Sequence, residues 1–313
     1  MVYYFVRFAA WVAAHVPRRA RLAIAGTFAT LVYYLWVAKK RVTIANMATV
    51  LGTTTDDPAA RRAARNSWRN HGRYISDFLA FSDDPAQARI TVLSRLRDVT
   101  PPPGAFGLID EARQGGKGLL IITAHFGAWD IAGILAGSHT PLHVVAEHFN
   151  DPRLDKLVEQ QRRDLGMEVV WMERSSRSIM RVLQDGGTVA IVADRPMAEG
   201  KGVPITFFGK RCYVPGGPAY LALKTGAALM PGYTHYDEEF SEAYYGGAEP
   251  YFFAENTGNR DADIAAATQR VYEGIEAFIR RKPEQWHMFR PFWPEAASAP
   301  AAPAPSPEGT VAG

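Results

Sequence analysis

A histidine and an aspartate follow directly after an apolar stretch of this 313-residue chain. They lie in the segment GLLIITAHFGAWDIAG, residues 118–133, where four residues separate His125 from Asp130. Side chains at the carboxyl ends of strands in open α/β sheets face the crevice where ligands bind. Because Gly127 permits a tight turn, the Asp130 carboxylate can take the proton on one imidazole nitrogen and leave the other nitrogen free as a base. The alternative is a surface histidine that caps the helix, with Asp130 in its first turn.

A second apolar stretch also ends in charged residues. TVAIVADRP, residues 188–196, contains Asp194 and Arg195, and Glu199 follows shortly after. If this strand is a neighbour of the first, the same crevice brings Arg195 and Glu199 toward His125. The alternative is an Asp–Arg pair that only stabilises a turn.

Several other chemistries are disfavoured by the sequence. It contains no G-x-S-x-G nucleophile elbow, no G-x-x-x-x-G-K-[ST] loop and no G-x-G-x-x-G after a strand, which argues against covalent serine chemistry and phosphate-loop chemistry. A metal cluster is suggested by His139, His143, Glu147 and His148, but Pro141 and strand-like residues make helical i, i+4 spacing of these ligands unfavourable. We therefore expect no metal and no cofactor.

The order of apolar segments predicts an α/β fold. From about Gly104 onward, helical patterns alternate with short apolar strands, which is typical of a mainly parallel sheet flanked by helices. The segment that begins DPAARRAARN has an Asp-Pro helix start. We expect a helical segment over residues 1–50, an α/β domain over 51–294, and a disordered Ala/Pro-rich tail over 295–313.

The first 50 residues predict contact with a membrane. They contain no Asp or Glu and seven basic residues, interleaved with Tyr, Trp and aliphatic residues: Arg7, Arg18, Arg19, Arg21, Lys39, Lys40 and Arg41. A basic segment of this composition favours an anionic membrane surface over nucleic acid. The uncharged run over residues 22–38 is shorter than the roughly 20 residues of a typical spanning helix, so both a single anchor and an interfacial helix stay open.

Two further features bear on location. Cys212 is the single cysteine of the chain and has no internal disulfide partner, which favours a reducing compartment and the cytoplasmic side. Arginines also recur at every fourth position of the predicted helix after residue 57, at Arg61, Arg65, Arg69 and Arg73. One face of that helix could hold lipid phosphates or the phosphates of a nucleotide-bearing donor, or it is simply solvated.

Four segments in a fixed order resemble a known family. HFGAWD, ADRP, GVPITFFGKRCYVPGGPAYLALKTGAALMPG and KPEQWHMFRPFW are similar to the bacterial lipid A biosynthesis acyltransferase superfamily, which includes the mycobacterial phosphatidylinositol mannoside acyltransferases. The resemblance runs from the basic N-terminus to about Trp293. It implies a glycerolipid-acyltransferase-like α/β fold at the cytoplasmic face of the cell membrane. It also implies transfer of an acyl group from acyl-CoA or acyl carrier protein to a hydroxyl of a glycolipid or phospholipid.

The resemblance also implies roles for particular residues. His125 would be the general base and Asp130 its orienting carboxylate, and the Asp at this position leans toward the mannoside branch. Glu199 matches a further glutamate tied to the catalytic histidine, and Arg163 matches an arginine of the preceding helix. No metal or covalent intermediate is required.

Binding roles follow from the same reading. Arg163 and Arg195 would hold a phosphate or another polar group, because the guanidinium fork suits phosphate oxygens. Backbone N–H groups around Gly127, or Arg195, would stabilise the oxyanion. Trp129 would line an acyl groove, although core packing is the alternative for such apolar residues.

Two rival functions stay open at this point. One is a metal-dependent hydrolase of a lipid phosphate or ester, which metal analysis would identify. The other is a lipid-binding protein without enzymatic activity, in which His125 and Asp130 could be replaced without consequence.

Overall fold

The structure is a computed structural model that describes residues 2–81, 84–172, 175–236 and 243–293. The tail predicted over residues 295–313 lies outside these described residues. Within these ranges, five α-helices precede the main sheet along the chain, and six more lie within or after it. The helices are α1 Val2–His15, α2 Arg18–Leu35, α3 Val37–Leu51, α4 Pro58–Ala80, α5 Pro85–Arg95, α6 Gly104–Ala112, α7 Trp129–His139, α8 Pro152–Asp164, α9 Ser175–Gln184, α10 Gly217–Thr225 and α11 Arg260–Arg281.

Eight of the strands within the described ranges form one sheet, in the order β1-β9-β8-β2-β5-β3-β4 with β10 beside β8. A separate hairpin pairs β6 with β7. The strands are β1 Leu96–Asp98, β2 Leu119–Thr123, β3 Leu142–Ala146, β4 Met167–Trp171, β5 Thr188–Val192, β6 Val203–Phe207, β7 Lys210–Val214, β8 Ala228–Tyr236, β9 Tyr244–Ala248 and β10 Phe252–Phe253.

The sheet is mainly parallel, as the alternating pattern predicts. β8, β2, β5, β3 and β4 run parallel to one another, and β9 and β10 pair antiparallel with β8. Strand β2 is central, and its apolar residues face both sides: Leu120 and Ile122 join the core beneath α9, α10 and α11, whereas Ile121 packs toward α7. A strand buried on both faces explains why this segment is a continuous apolar run rather than an alternating one.

The N-terminal helices pack onto the α/β body through α4. The Asp-Pro start of α4 is confirmed, because the Asp57 side chain accepts a hydrogen bond from the Ala59 N–H at 2.7 Å. Near the other end of α4, the fully buried Asp77 carboxylate binds Arg18 at 2.9 Å and Arg21 at 2.7 Å. Two of the seven basic residues predicted to meet anionic lipid are therefore committed to an internal ion-pair cluster.

The arginine face predicted on α4 is not uniform in the structure. Arg61 pairs with Asp56, and Arg65 and Arg69 are exposed. Arg73 is buried and lies against α2, where a Cβ built on Gly26 would come 3.0 Å from its Nε. The exposed part of this face therefore ends before Arg73, because the α2–α4 contact covers the last arginine.

None of the described helices is by itself long and apolar enough to cross a membrane. The pair α2 and α3 reaches the required length and composition together, but the two helices are bent by 100° at their junction.

Candidate active site

Two central strands end side by side and carry the site. β2 and β5 pair in parallel with Thr123 opposite Val192, and His125 and Asp194 each follow two residues later. The backbone N–H of His125 donates to Asp194 Oδ1 at 3.0 Å, and the imidazole Nδ1 lies 2.8 Å from the same oxygen. The carboxylate of one strand end therefore holds the histidine of the next through both main chain and side chain.

The two partners differ sharply in exposure. Asp194 is completely buried, and its second oxygen accepts a hydrogen bond from Trp286 Nε1 at 2.8 Å. The His125 side chain is 48% exposed. Since a carboxylate only accepts hydrogen bonds, the neutral imidazole carries its proton on Nδ1 and presents the free lone pair of Nε2. This is the arrangement that a general base requires.

The electrostatic interaction between His125 and Asp194 favours the charged form of each residue. Burial by itself lowers the pKa of His125, but the Asp194 carboxylate more than offsets this, so the pKa lies above its ordinary value of 6.5. Glu147 acts in the same direction and Arg290 in the opposite one. Burial would raise the pKa of Asp194, yet the charge and hydrogen bonds of His125 hold it below its usual range. Each partner thus stabilises the ionised form of the other.

Asp130 takes part in a different network. It lies in the first turn of α7, where its Oδ1 accepts from Arg162 Nε at 2.8 Å and its Oδ2 accepts from the Tyr74 hydroxyl. The hydrogen bond that the sequence predicts between Asp130 and His125 is not formed. The start of α7 directs this carboxylate toward α8 and α4, whereas the strand order puts Asp194 beside the imidazole.

Gly127 adopts a conformation that favours glycine, but its N–H is not free. Its φ is +54°, and a Cβ at this position would lie 2.1 Å from the Thr234 carbonyl oxygen. Its N–H donates to the Gln285 carbonyl at 2.7 Å, and the next N–H, of Ala128, donates to Thr234 at 2.9 Å. The backbone thus makes the tight turn that Gly127 permits, and the N–H groups of Gly127 and Ala128 both donate to carbonyl oxygens of the chain.

The other charged residues predicted for the site lie at its edge or away from it. Arg195 pairs with Glu147, and both side chains are about half exposed. Glu199 is exposed and accepts a hydrogen bond from the Tyr213 hydroxyl at 3.1 Å, whereas the carboxylate on the imidazole Nδ1 is that of Asp194. For Arg163, the partner is Glu159 one turn earlier on the exposed side of α8.

The Trp129 side chain lies between His125 and a cluster of other aromatic rings. Its ring packs edge-to-face on His125 at 5.3 Å and lies 4.0 Å from Tyr74, measured between ring centroids. The Trp129 ring also stacks with that of His71 at a centroid distance of 6.2 Å and lies 6.0 Å from that of His287. Burial keeps both of these histidines neutral: it lowers the pKa of His71 to about 4 and that of His287 well below 6.5.

Trp129 also lines an apolar cavity of about 110 Å³ beneath α7. The cavity passes across the sheet from β1 to β3, and small residues shape its wall on α7. From β1 to β3 the cavity passes six neighbouring strands, which are separated by five spacings of about 4.8 Å each. The cavity is therefore about 24 Å long in this direction. Its lining includes Leu96, Phe106, Ile121, Ala132, Gly133, Ala136, Val144, Ala190, Met230 and Gly246. Its shape is narrow and elongated, which suits a flexible aliphatic chain.

Three residues that hold the site were not assigned a role from sequence. Asp194 carried a usable signal, since it ends an apolar strand in the same way as His125. No local sequence pattern indicated a role for Trp286 or Arg162. Their partners, Asp194 and Asp130, lie 92 and 32 positions away along the chain. The described residues contain no group of three or more His, Cys, Asp or Glu side chains placed to hold a metal ion.

The fold and the site together define an α/β protein in which a half-exposed histidine is paired with a buried aspartate at the carboxyl edge of a mainly parallel sheet, beside a narrow apolar cavity. The chain belongs to the bacterial lipid A biosynthesis acyltransferase family, whose model matches residues 1–295. The resemblance found in the sequence is thereby confirmed.

Curated relatives carry a more specific name. The chain is 30% identical over 187 residues to the phosphatidylinositol mannoside acyltransferase of Mycolicibacterium smegmatis (strain ATCC 700084 / mc(2)155), a match that covers 58% of this chain and 59% of that protein. It is 31% identical over 195 residues to the protein of the same name from Mycobacterium tuberculosis (strain CDC 1551 / Oshkosh), covering 61% and 59%. The matches thus span about three fifths of these relatives' length.

The His125–Asp194 pair predicts a measurable titration. Asp194→Asn removes the carboxylate that raises the imidazole pKa, while burial and the Arg290 charge still favour the neutral form. We expect the pKa of His125, followed by NMR, to fall from above 6.5 in the unchanged protein to below 6.5 in the variant. The matched control is Asp110→Asn, which removes the partner of the surface residue His139. An unchanged His125 pKa in Asp194→Asn would contradict the pairing.

Proposed function

We propose that this protein transfers a fatty acyl group from a thioester to a hydroxyl group of a glycolipid. The observation that carries the proposal is the His125 imidazole, whose Nδ1 is held by a buried carboxylate while its ring is half exposed. The family and the names of the two mycobacterial relatives support this class of reaction.

The proposed reaction needs one proton transfer at His125. Nε2 takes the proton of the acceptor hydroxyl as its oxygen attacks the thioester carbonyl, and Asp194 stabilises the imidazolium that forms. The C–S bond then breaks, and the thiolate leaves without strong acid assistance because a thiol has a pKa of about 8.5. The imidazolium returns its proton to the thiolate or to water. Since only the neutral imidazole is a base, the rate should rise as the pH increases through the pKa of His125.

The acyl chain is proposed to enter the cavity beneath α7. Trp129 touches both the imidazole and this cavity, so a chain that lies against it brings its carbonyl end toward His125. A cavity of 110 Å³ is smaller than the roughly 300–1,000 Å³ typical of ligand pockets. Side chains along the wall therefore have to move apart when a long chain binds.

The remaining predicted residues are proposed to support binding. Asp130, through Arg162 and Tyr74, fixes the start of α7 and with it the position of Trp129. Arg195 and Arg163 contact a phosphate or sugar of a substrate if they exchange their carboxylate partners for it. Glu199, on the exposed Tyr213 hydroxyl, is proposed to meet the polar part of the acceptor.

The decisive test is acyl transfer itself. We expect purified protein, incubated with labelled acyl thioester and a total membrane-lipid extract, to give an acylated glycolipid identifiable by mass spectrometry. His125→Gln should reduce the rate by about 10²- to 10⁴-fold, because it removes the general base but keeps a polar side chain. His148→Gln is the matched control, since His148 is also a partly exposed histidine whose Nδ1 lies 2.9 Å from a buried carboxylate, that of Asp155. Full activity of a folded His125→Gln variant would refute the mechanism.

The cavity predicts selectivity for acyl length. Ala132→Phe places a ring in the wall of the cavity, so donors with long chains should lose activity relative to donors with short chains. We expect the long-to-short ratio of kcat/KM to fall by about tenfold, which corresponds to roughly 1.4 kcal/mol. Ser138→Phe, on the same helix but outside the cavity lining, is the control. An unchanged ratio in Ala132→Phe would place the acyl chain elsewhere.

Association with a membrane is proposed for the face formed by α1 and α2. Apolar side chains on this face are each more than half exposed: Tyr4, Phe5, Phe8, Trp11, Ile24, Phe28, Leu31, Tyr34, Leu35 and Trp36. Arg7 and Arg19 are exposed on the same two helices, and each basic residue near an anionic leaflet contributes about 1 kcal/mol. We propose that this face lies in the interface of the cytoplasmic leaflet.

Point substitutions test this face better than a truncation, because removing residues 1–40 would also remove Arg18 and Arg21 from the buried Asp77. The double variant Phe28→Glu, Leu35→Glu should release protein from vesicles that contain anionic lipid, as measured by co-sedimentation. The control is Ile90→Glu, which changes an apolar residue of α5 that is equally exposed. Sedimentation of the double variant at the unchanged level would exclude this face as the anchor.

A further inference from the structure

The apolar cavity beneath α7 is narrowed by close packing at its β3 end. There α7 lies directly on the start of β4, since a Cβ built on Gly133 would collide with the Met167 sulfur. The ion pair between Asp130 and Arg162 also contributes to the lining on this side. An acyl chain that starts beside Trp129 therefore finds its apolar path in the opposite direction, toward β1.

The sheet surface on the way to β1 carries no long side chains. Gly232 of β8 pairs with Ala248 of β9, and both line the cavity together with Gly246. A Cβ on Gly232 would lie 3.2 Å from Ile121 Cγ2, and a Cβ on Gly246 would lie 3.1 Å from Leu96 Cδ1. These glycines therefore face the α7 side and keep the floor of the cavity low. From β2 to β1 this floor crosses three strand spacings, or roughly 14 Å.

Helix α6 forms the wall at the β1 end. Ala105, Phe106 and Ile109 of this helix line the cavity beside Leu96 of β1, and Phe106 is the largest of the four side chains. Strand β1 lies at the edge of the described sheet. A chain that reaches the Phe106 ring has therefore crossed the whole apolar floor.

The Phe106 ring is itself held by His139, in the last turn of α7. The two rings stack at a centroid distance of 4.7 Å with an interplanar angle of 14°. His139 Nε2 also lies 2.8 Å from Oδ1 of Asp110, which follows Phe106 by one turn of α6. The imidazole thus contacts α6 at two successive turns, and it is not part of the cavity lining. It limits the rotation of Phe106 from the side away from the acyl chain.

We infer that Phe106 limits the length of the acyl chain that the protein accepts, and that His139 is the residue that positions it. The inference rests on the proposed acyl transfer and deepens it, because it defines the donor as a thioester whose chain ends at this ring. A longer chain leaves methylene groups in water or displaces Phe106 from His139. One methylene group in an apolar pocket changes kcat/KM by about 10- to 200-fold.

The test measures chain-length selectivity of the full-length protein in two ways. In the first, an equimolar mixture of saturated acyl-CoA thioesters from dodecanoyl to docosanoyl is offered with a phosphatidylinositol mannoside in detergent, and the products are resolved by mass spectrometry. In the second, free fatty acids of the same lengths displace fluorescent parinaric acid from the protein, which requires no catalysis.

We expect Phe106→Ala to raise the ratio of long to short products by about tenfold, and Phe106→Trp to lower it. The matched control is Phe253→Ala, which changes a partly exposed phenylalanine outside the cavity lining. His139→Ala should weaken the discrimination against long chains, and His139→Phe, which keeps a ring against Phe106, should restore it.

The outcomes separate the inference from the proposed function. Shifts of opposite sign in Phe106→Ala and Phe106→Trp, with thermal unfolding like that of the unchanged protein, support the length limit; Phe106→Trp decides alone if Phe106→Ala does not fold. Unchanged selectivity in these variants, or an equal shift in Phe253→Ala, would overturn it, and unchanged selectivity in His139→Ala would overturn the positioning role. If the unchanged protein acylates no lipid but displacement still shifts with Phe106, the proposed function fails and the length limit stands.

Discussion

The fully buried carboxylate of Asp194 is the constraint on which the site and much of the fold depend. A buried charge is costly unless it is paired and hydrogen-bonded, and its three donors are the His125 N–H, the His125 imidazole and Trp286 Nε1. They come from the residue that follows the carboxyl end of β2 and from the segment after α11, so the carboxylate is satisfied only when these parts of the chain have come together. The central sheet and the C-terminal segment are thus stabilised by the same group that orients the histidine.

Two carboxylates near His125 have separate tasks. Asp194 controls the proton on the imidazole, whereas Asp130 ties the start of α7 to α8 through Arg162 and to α4 through Tyr74. Burial raises the pKa of Tyr74 well above its ordinary value of 10, so this hydroxyl stays a hydrogen-bond donor to the carboxylate. Because Trp129 immediately precedes Asp130, this network also fixes the ring that joins the imidazole to the apolar cavity.

Sequence patterns predicted the alternating elements, the mainly parallel sheet and the position of His125 at a strand end, because these depend on local periodicity and on turn residues. They did not identify the partner of His125. Spacing along the chain favoured Asp130, but Asp194 reaches the imidazole only because β5 lies next to β2, and strand order is not a local property. Likewise, Arg18 and Arg21 read as free surface charges, since their partner Asp77 is more than fifty residues away.

Helix α4 connects the exposed apolar face of α1 and α2 with the residues around His125. At one end of its buried side Asp77 binds Arg18 and Arg21 of the helix that carries Phe28 and Leu35, and one turn earlier Tyr74 binds Asp130. Further back, the Ser67 hydroxyl donates to the Trp286 carbonyl at 2.6 Å and therefore holds the residue that binds Asp194. These contacts are hydrogen bonds and ion pairs to a single continuous helix, whose internal geometry is stiff. The distance and angle between the exposed apolar face and the imidazole are therefore set by α4, so a bilayer that holds the first two helices would also determine how a lipid hydroxyl approaches His125.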